Sequence, residues 1–422
     1  MDYREAMKYI SGTSWFGAEP SLERISELLE HLGNPQDGLR FVHIAGTNGK
    51  GSCAAMTASV LKAAGYRTGL FTSPYISRFN ERMQINGKQI EDEVIAGIVT
   101  EVQPAADAMA VHPTQFEMMT ACALLWFARE KCDIAVLETG LGGRFDATNV
   151  IRCPEAAVIM NIGLDHTGIL GSTVEQIAFE KAGIIKPGCD CVLYDQPENV
   201  AAVIANICQE RGARLHRADF TRVRNEFDSI DGQVFTYRGE AYAIPLLGAN
   251  QLRNAAVVID TVDVLRSKGW KLEQSNVEHG LYAVSWPARF EIISDDPFFV
   301  VDGGHNPQCA VSVAENLLHY FPDKRRIILT GVMRDKDSYG IFTALDPVAD
   351  EYICVEPQNS PRALPAEELA EFLKEFGKKT TACESISKGV AAALDAAGED
   401  GMICATGSMY IAGPVRACFD LP

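Results

Sequence analysis

The run Gly46-Thr47-Asn48-Gly49-Lys50-Gly51-Ser52 sets glycines and a lysine between an apolar stretch, Phe41–Ala45, and a helical stretch from about Lys50 to Ala64. Such a turn lets backbone N–H groups converge on phosphate oxygens, and the following helix N-terminus adds partial positive charge. Lys50 supplies a point charge for the outer phosphates. The spacing departs from G-x-x-x-x-G-K-[ST], because only two residues separate Gly46 from Gly49 and Gly51 stands between Lys50 and Ser52. The alternative is a glycine-rich strand–helix turn with no ligand. That alternative gives a lysine directly after the turn glycine no purpose. The loop does not say which nucleotide reaction follows.

Ligands of open α/β sheets collect beyond the carboxyl ends of strands. Thr72-Ser73-Pro74 follows the predicted strand Arg67–Phe71. Glu138 follows Ile134–Leu137 and leads into Thr139-Gly140-Leu141-Gly142-Gly143-Arg144, and Asn161–His166 follows Ala157–Met160. A hydroxyl and a carboxylate, Ser73 and Glu138, are oxygen ligands suited to Mg²⁺ bridging phosphates. Histidine is a less usual ligand for that ion. Chemistry alone therefore reads His166 as a hydrogen-bonded loop residue beside Asp165.

The elements that must carry these residues alternate. Strands at 41–45, 67–71, 134–137, 157–160 and 191–194 interleave with helices near 50–64, 116–130, 173–182, 200–211 and 250–267. A hairpin signal lies at Asn86-Gly87, and another at Arg238-Gly239 within Val234–Ile244. Alternation of this kind predicts an α/β domain with a largely parallel sheet. Trp286-Pro287-Ala288-Arg289 breaks the rhythm. A second, smaller α/β pattern follows, with strands at 298–301, 326–329, 352–355 and 402–405 and helices at 309–320, 366–376 and 387–396. The expected domains are 1–290 and 291–422, consistent with a length too great for one ordinary core.

A formal charge of −18 argues against nucleic acid as a partner. The 12 cysteines form no C-x-x-C pair, and many sit in apolar runs, so they read as reduced core thiols of a cytoplasmic protein. Met1–Ile10 has no apolar signal segment, and no run approaches the ~20 apolar residues that span a bilayer.

Taken in order, several motifs resemble the folylpolyglutamate synthase and dihydrofolate synthase family of the Mur ligase superfamily, across nearly the whole chain. They are Gly46–Ser52, Thr72-Ser73-Pro74, the Glu138–Asn149 stretch, Leu164-Asp165-His166-Thr167 and Glu180-Lys181-Ala182-Gly183. In the second half come Asn254-Ala255-Ala256, Trp286-Pro287-Ala288-Arg289, Asp302-Gly303-Gly304-His305-Asn306-Pro307, Asp335-Lys336-Asp337 and Thr406-Gly407-Ser408. The family usually has Gly at position 288 and Ala at 304. The small residues found here should be tolerated.

The resemblance implies a P-loop, Mur-ligase-like ATPase domain with a smaller C-terminal α/β domain, acting as a monomer on small molecules: a folate or dihydropteroate, L-glutamate and ATP. It implies an acyl phosphate on the folate carboxylate, attacked by the glutamate amine. Thr47, Asn48, Gly49, Lys50, Gly51, Ser52, Asn254, Arg289, Asp302 and His305 would bind ATP. Ser73 and Glu138 would hold Mg²⁺. His166 would hold a second divalent metal, with Lys181 carbamylated by CO₂ as an anionic ligand. Lys50, Lys181 and His166 would be catalytic. Thr114, Gln115, Phe116 and Glu117 fall where relatives contact folate, although Phe116 also reads as helix core. Ser408, with Asp335-Lys336-Asp337, is expected at the glutamate site. The competing readings are another Mur-type ligase, a non-catalytic nucleotide switch and an inactive homologue. Separately placed metal-ligand candidates and a second domain carrying Arg289 and Asp302 argue against the switch.

Overall fold

A computed structural model describes residues 1–13, 20–358 and 360–421. Its largest sheet has eight strands. These are β1 (Phe41–Ala45), β2 (Thr68–Phe71), β3 (Met83–Ile85), β4 (Lys88–Gln89), β5 (Ile134–Glu138), β6 (Ala156–Ile159), β7 (Asp190–Leu193) and β8 (Arg214–Arg217), in the order β4-β3-β2-β5-β1-β6-β7-β8. From β2 to β8 the strands run parallel, and only the β3–β4 edge is antiparallel. A parallel sheet must be covered on both faces, which explains why β1 is buried at every position. Alternation sorts its side chains. Val42 and Ile44 pack beneath the helices Lys50–Ala63 and Ala249–Ser267. Phe41 meets the helices Asp92–Asp107 and Gln115–Arg129, and Ala45 the helices Val174–Lys181 and Glu198–Glu210.

A three-stranded antiparallel sheet follows: β9 (Arg224–Ser229), β10 (Gly232–Tyr237) and β11 (Glu240–Ile244). Arg238 and Gly239 both have positive φ, 53° and 91°, as a two-residue hairpin turn of the primed kind requires. Phe235 and Tyr237, on one face of β10, complete the core under Ala249–Ser267.

The second domain is built on β12 (Glu291–Asp295), β13 (Phe298–Val301), β14 (Arg325–Thr330), β15 (Glu351–Cys354), β16 (Lys379–Ala382) and β17 (Gly401–Thr406), in the order β12-β13-β17-β14-β15-β16. All but β12 are parallel. The chain enters this sheet through Ala288-Arg289-Phe290, where Ala288 and Phe290 take left-handed φ of 55° and 46°. Among the described residues no helix is long and apolar enough to cross a membrane.

Candidate functional site

The Gly46–Ser52 turn leaves β1 and enters the helix Lys50–Ala63. Gly49 is its N-cap at φ +81°, a conformation that disfavours any side chain. A Cβ on Gly49 would stand 2.7 Å from Asn254 Oδ1, so the missing side chain lets Asn254 reach the turn. A Cβ on Gly51 would meet the Trp286 ring at 2.9 Å. The turn is tied to the segment after β6. Thr47 N donates to Asn161 O at 2.7 Å. Thr47 Oγ1 donates to Gly163 O at 3.0 Å and accepts from Gly163 N at 3.1 Å.

Lys181 ends the helix Val174–Lys181 and is buried. Its Nζ donates to Gly46 O at 2.8 Å. Two glycines let the backbone around it pack closely against the 143–144 segment. A Cβ on Gly143 would stand 2.6 Å from Lys181 O, and one on Gly183 would stand 2.2 Å from Arg144 Cα. Burial carries the Lys181 amine down to about 7, and the charge of Lys50 adds to the shift. Glu138 closes β5, buried, and accepts from Ser73 N at 3.1 Å. Burial pushes its carboxyl up, opposed first by Lys50, then by the Ser73 N–H and Arg289. His166 is lowered to about 4 by burial and by Lys336, leaving a neutral imidazole with a free lone pair. Burial would raise Asp165, yet its contacts with His305, Lys336 and His166 hold its carboxyl well below the usual range. Lys336 Nζ lies 2.6 Å from Asp165 Oδ1, joining the two domains.

A cavity of about 430 Å³ opens here between the domains. It gathers Gly46–Ser52, Ser73, Glu138, His166, Lys181 and Asn254 from the first domain, and Asp302 and His305 from the second, with Arg289 at the junction. Every residue assigned from sequence to nucleotide or metal thus meets in one place. Asp302 accepts from Phe290 N at 2.8 Å and Gly304 N at 2.7 Å. Burial raises its carboxyl and Arg289 opposes the rise. Next to this space lies a second cavity of about 530 Å³. Gly51, Ser73, Pro74, Glu138, Arg289 and Met409 line both.

Eight assigned residues line neither cavity: Thr114, Gln115, Phe116, Glu117, Ser408 and the run Asp335-Lys336-Asp337, in which Lys336 is paired with Asp165 and Asp337 caps the helix Ser338–Leu345. Thr114 and Glu117 are consumed by a capping box at the start of the helix Gln115–Arg129, and Glu117 is ion-paired to Arg24 at 3.1 Å. Gln115 is the first residue of that helix. Phe116 packs over Gly140 and tilts against Phe71 at 5.9 Å between centroids. Ser408 caps the helix Met409–Ala417, accepting from Tyr410 N at 3.2 Å, and only its neighbour Met409 reaches the cavities. Arg82 lines neither cavity, but it is a cation whose charge helps hold down the carboxyl of Glu138. It is buried, 5.0 Å from the Tyr75 ring centroid and 5.8 Å from that of Phe79, and its Nε has no hydrogen-bond partner among the described residues. No spacing signal marks it, because an arginine before a short strand reads as surface. Sequence reasoning missed Arg78 and Arg416, which line the second cavity.

Residues 44–262 match the Mur ligase middle domain and residues 288–409 the Mur ligase, glutamate ligase domain. The chain is 35% identical to the dihydrofolate synthase/folylpolyglutamate synthase of Bacillus subtilis, over 98% of each chain. It is 37% identical to the folylpolyglutamate synthase of Lacticaseibacillus casei, over 99% of this chain and 98% of that one. The structure of Mycobacterium tuberculosis folylpolyglutamate synthase complexed with ADP and AMPPCP superposes with a TM-score of 0.90 at 33% identity, covering 99% of this chain and 98% of that one. That of E. coli FolC in complex with DHPP and ADP gives 0.88 at 28% identity, covering 100% and 98%. By sequence over its full length and by fold, the chain belongs to the folylpolyglutamate synthase and dihydrofolate synthase family of Mur ligases.

Proposed function

We propose that this protein is an ATP-dependent ligase that joins L-glutamate to the terminal carboxylate of tetrahydrofolate. The observation that carries the reading is the shared lining of the two cavities, Ser73, Glu138 and Arg289 above all. A nucleotide in the smaller space and an acceptor in the larger one can bring a phosphate and a carboxylate to the same wall. Relatives solved with ADP, AMPPCP and DHPP support such occupants.

In this reading Gly46–Ser52 is a phosphate loop. Its backbone N–H groups and Lys50 hold the ATP phosphates, Asn254 takes the base side, and Asp302 and His305 close over the ribose and phosphates. The acceptor carboxylate attacks the terminal phosphorus and ADP leaves. The glutamate amine then attacks the acyl carbon, phosphate leaves, and the nitrogen gives up a proton as the amide forms. Arg289 sits where negative charge accumulates, and exclusion of water between the closed domains protects the acyl phosphate.

The donor sets fit two divalent ions. Ser73 and Glu138 offer hard oxygen donors beside Lys50 and Arg289, and a buried carboxylate in that position is stabilised by a cation. Neutral His166 fits a second ion. Lys181 fits it only as an anion, and an amine lowered to about 7 is neutral often enough near pH 7 to take up CO₂ as a carbamate. When bound, Mg²⁺ supplies charge neutralisation where the two anions meet.

We place the domain boundary at residue 290, just before β12. We take the protein to be a cytoplasmic monomer acting on small molecules rather than on nucleic acid or membranes, in keeping with its free thiols and its charge of −18. The test is incubation with ATP, Mg²⁺, labelled glutamate and either tetrahydrofolate or dihydropteroate. Label on tetrahydrofolate supports the reading, and label on both acceptors extends it to dihydrofolate synthesis. Label on neither, with ATP still bound, overturns it in favour of another Mur-type ligase or a nucleotide switch.

A further inference from the structure

Asn306 does two things with one amide. It is the N-cap of the helix Pro307–Tyr320 in the second domain, where its Oδ1 accepts from Cys309 N at 3.0 Å. Its Nδ2 donates across the cleft to Asn48 Oδ1 at 2.9 Å. A backbone N–H can only donate, so the Cys309 bond fixes which way the Asn306 amide faces. That in turn fixes Asn48. Its oxygen faces Asn306 and also accepts from Cys309 Sγ at 3.2 Å, and its Nδ2 donates to Gln308 Oε1 at 3.0 Å and, at the longer distance of 3.5 Å, to Asn306 Oδ1. The Gln308 side chain lies directly on Gly163, where a Cβ would come within 2.1 Å of it. Gly163 is the residue that holds Thr47. The start of this helix is therefore seated on Asn48 and on the tie point of Thr47 at once, and Asn306 itself is only 3% exposed.

From this juxtaposition we infer that Asn306 is a positioning residue that couples the conformation of the Gly46–Ser52 turn to closure of the second domain, with Asn48 as its partner. The inference rests on the ligase reading above. The turn presents the Asn48 amide in the observed direction only while its backbone is held as it is by Asn161 and Gly163. The second domain docks its helix on that amide. A nucleotide that orders the turn thereby strengthens docking, and docking delivers His305, which precedes the capped helix, to the cavity. Asn306 need not touch ATP. It acts through Asn48 and through the helix it caps.

The experiment separates the cap from the clamp. Serine caps helices as well as asparagine does, so Asn306→Ser keeps the helix start but is too short to cap and reach Asn48 together. Loss of this bond should cut kcat about tenfold, while KM for ATP changes less than about threefold. Asn48→Ala combined with Asn306→Ser should be no worse than the poorer single variant. In parallel, amide hydrogen exchange is followed with AMPPCP added. In the wild type the nucleotide should slow exchange in 46–52 and in 306–312; in Asn306→Ser it should slow 46–52 alone. Unchanged kcat in Asn306→Ser, multiplicative losses in the double variant, or protection of both segments in Asn306→Ser would each overturn the inference. If the wild type ligates no folate, the exchange arm still decides, so failure of the ligase reading and failure of the clamp remain distinct.

Discussion

Lys181 donates from Nζ to the carbonyl of Gly46 at 2.8 Å, across 135 residues of sequence, so a lysine at a helix end and the first residue of the glycine turn form one unit. Its amine is lowered from 10.5 to about 7, by burial first and Lys50 second. Between those values the unfolded chain keeps a proton that the folded protein has released, so this group makes stability rise with pH from about 7 to about 10.5. Below about 7 both states are protonated and the full cost of burying the charge remains. Lys181→Met should flatten the rise of Tm between pH 7 and 9, measured against wild type in CO₂-free buffer. An equal rise in both proteins would show that Lys181 does not titrate in this window.

The same lysine has a chemical test. Lys181→Ala should lose about 10²-fold or more in turnover, the scale of removing one charge-stabilising group. Short carboxylates that occupy the vacated space should restore part of it. Full activity without rescue would remove the carbamate from the mechanism.

Lys50→Ala should lower kcat by about 10²–10³-fold with the fold intact by circular dichroism, because phosphate charge then goes unneutralised. Retained turnover in a folded variant would end the phosphate-loop assignment.

Gly49→Ala adds both backbone strain and a clash, since φ is +81° and the new carbon would stand 2.7 Å from Asn254 Oδ1. Gly65→Ala is the matched control, with φ +88° and nothing within 4 Å. Each should cost about 1–2 kcal/mol in denaturant unfolding through the left-handed backbone. Only Gly49→Ala should also raise KM for ATP. Equal KM values would mean that Asn254 does not depend on the open glycine.

Thr114→Ala removes the cap of the helix Gln115–Arg129 and should cost about 1 kcal/mol of stability, read as a shift in denaturant midpoint. KM for folate in the same variant distinguishes two roles. An unchanged value leaves Thr114 as a cap alone, and a selective rise makes it an acceptor contact too.

The readable parts of the site are those whose chemistry is written locally. Lys50 follows its turn glycine directly, and Glu138 ends an apolar strand, so both stand where the sequence pattern puts them. Lys181 looks like an ordinary helix lysine. Its Nζ meets Gly46 O across 135 residues of sequence, which no local pattern reveals, and only the family resemblance points there. The helix Asp92–Asp107 repeats Ile95, Ile98, Val99 and Val102 at helical spacing, yet Pro104 interrupts the pattern and masks the helix in the sequence. Strands β8 and β16 are exposed edge strands of four residues each, without the apolar alternation that reveals a strand. Helix boundaries at 50–63 and 249–267 were legible because their apolar faces are long and continuous.

The wall common to the two cavities also bears on inhibition. A molecule that fills both spaces needs no linker around an obstacle, because Ser73, Glu138 and Arg289 front each of them. Joining a nucleotide mimic to an acceptor mimic makes the second contact intramolecular, with an effective concentration in the millimolar range or above for a short tether. Substitutions that shed such a compound by altering the wall would disturb nucleotide and acceptor together, so escape and activity are drawn from the same few side chains.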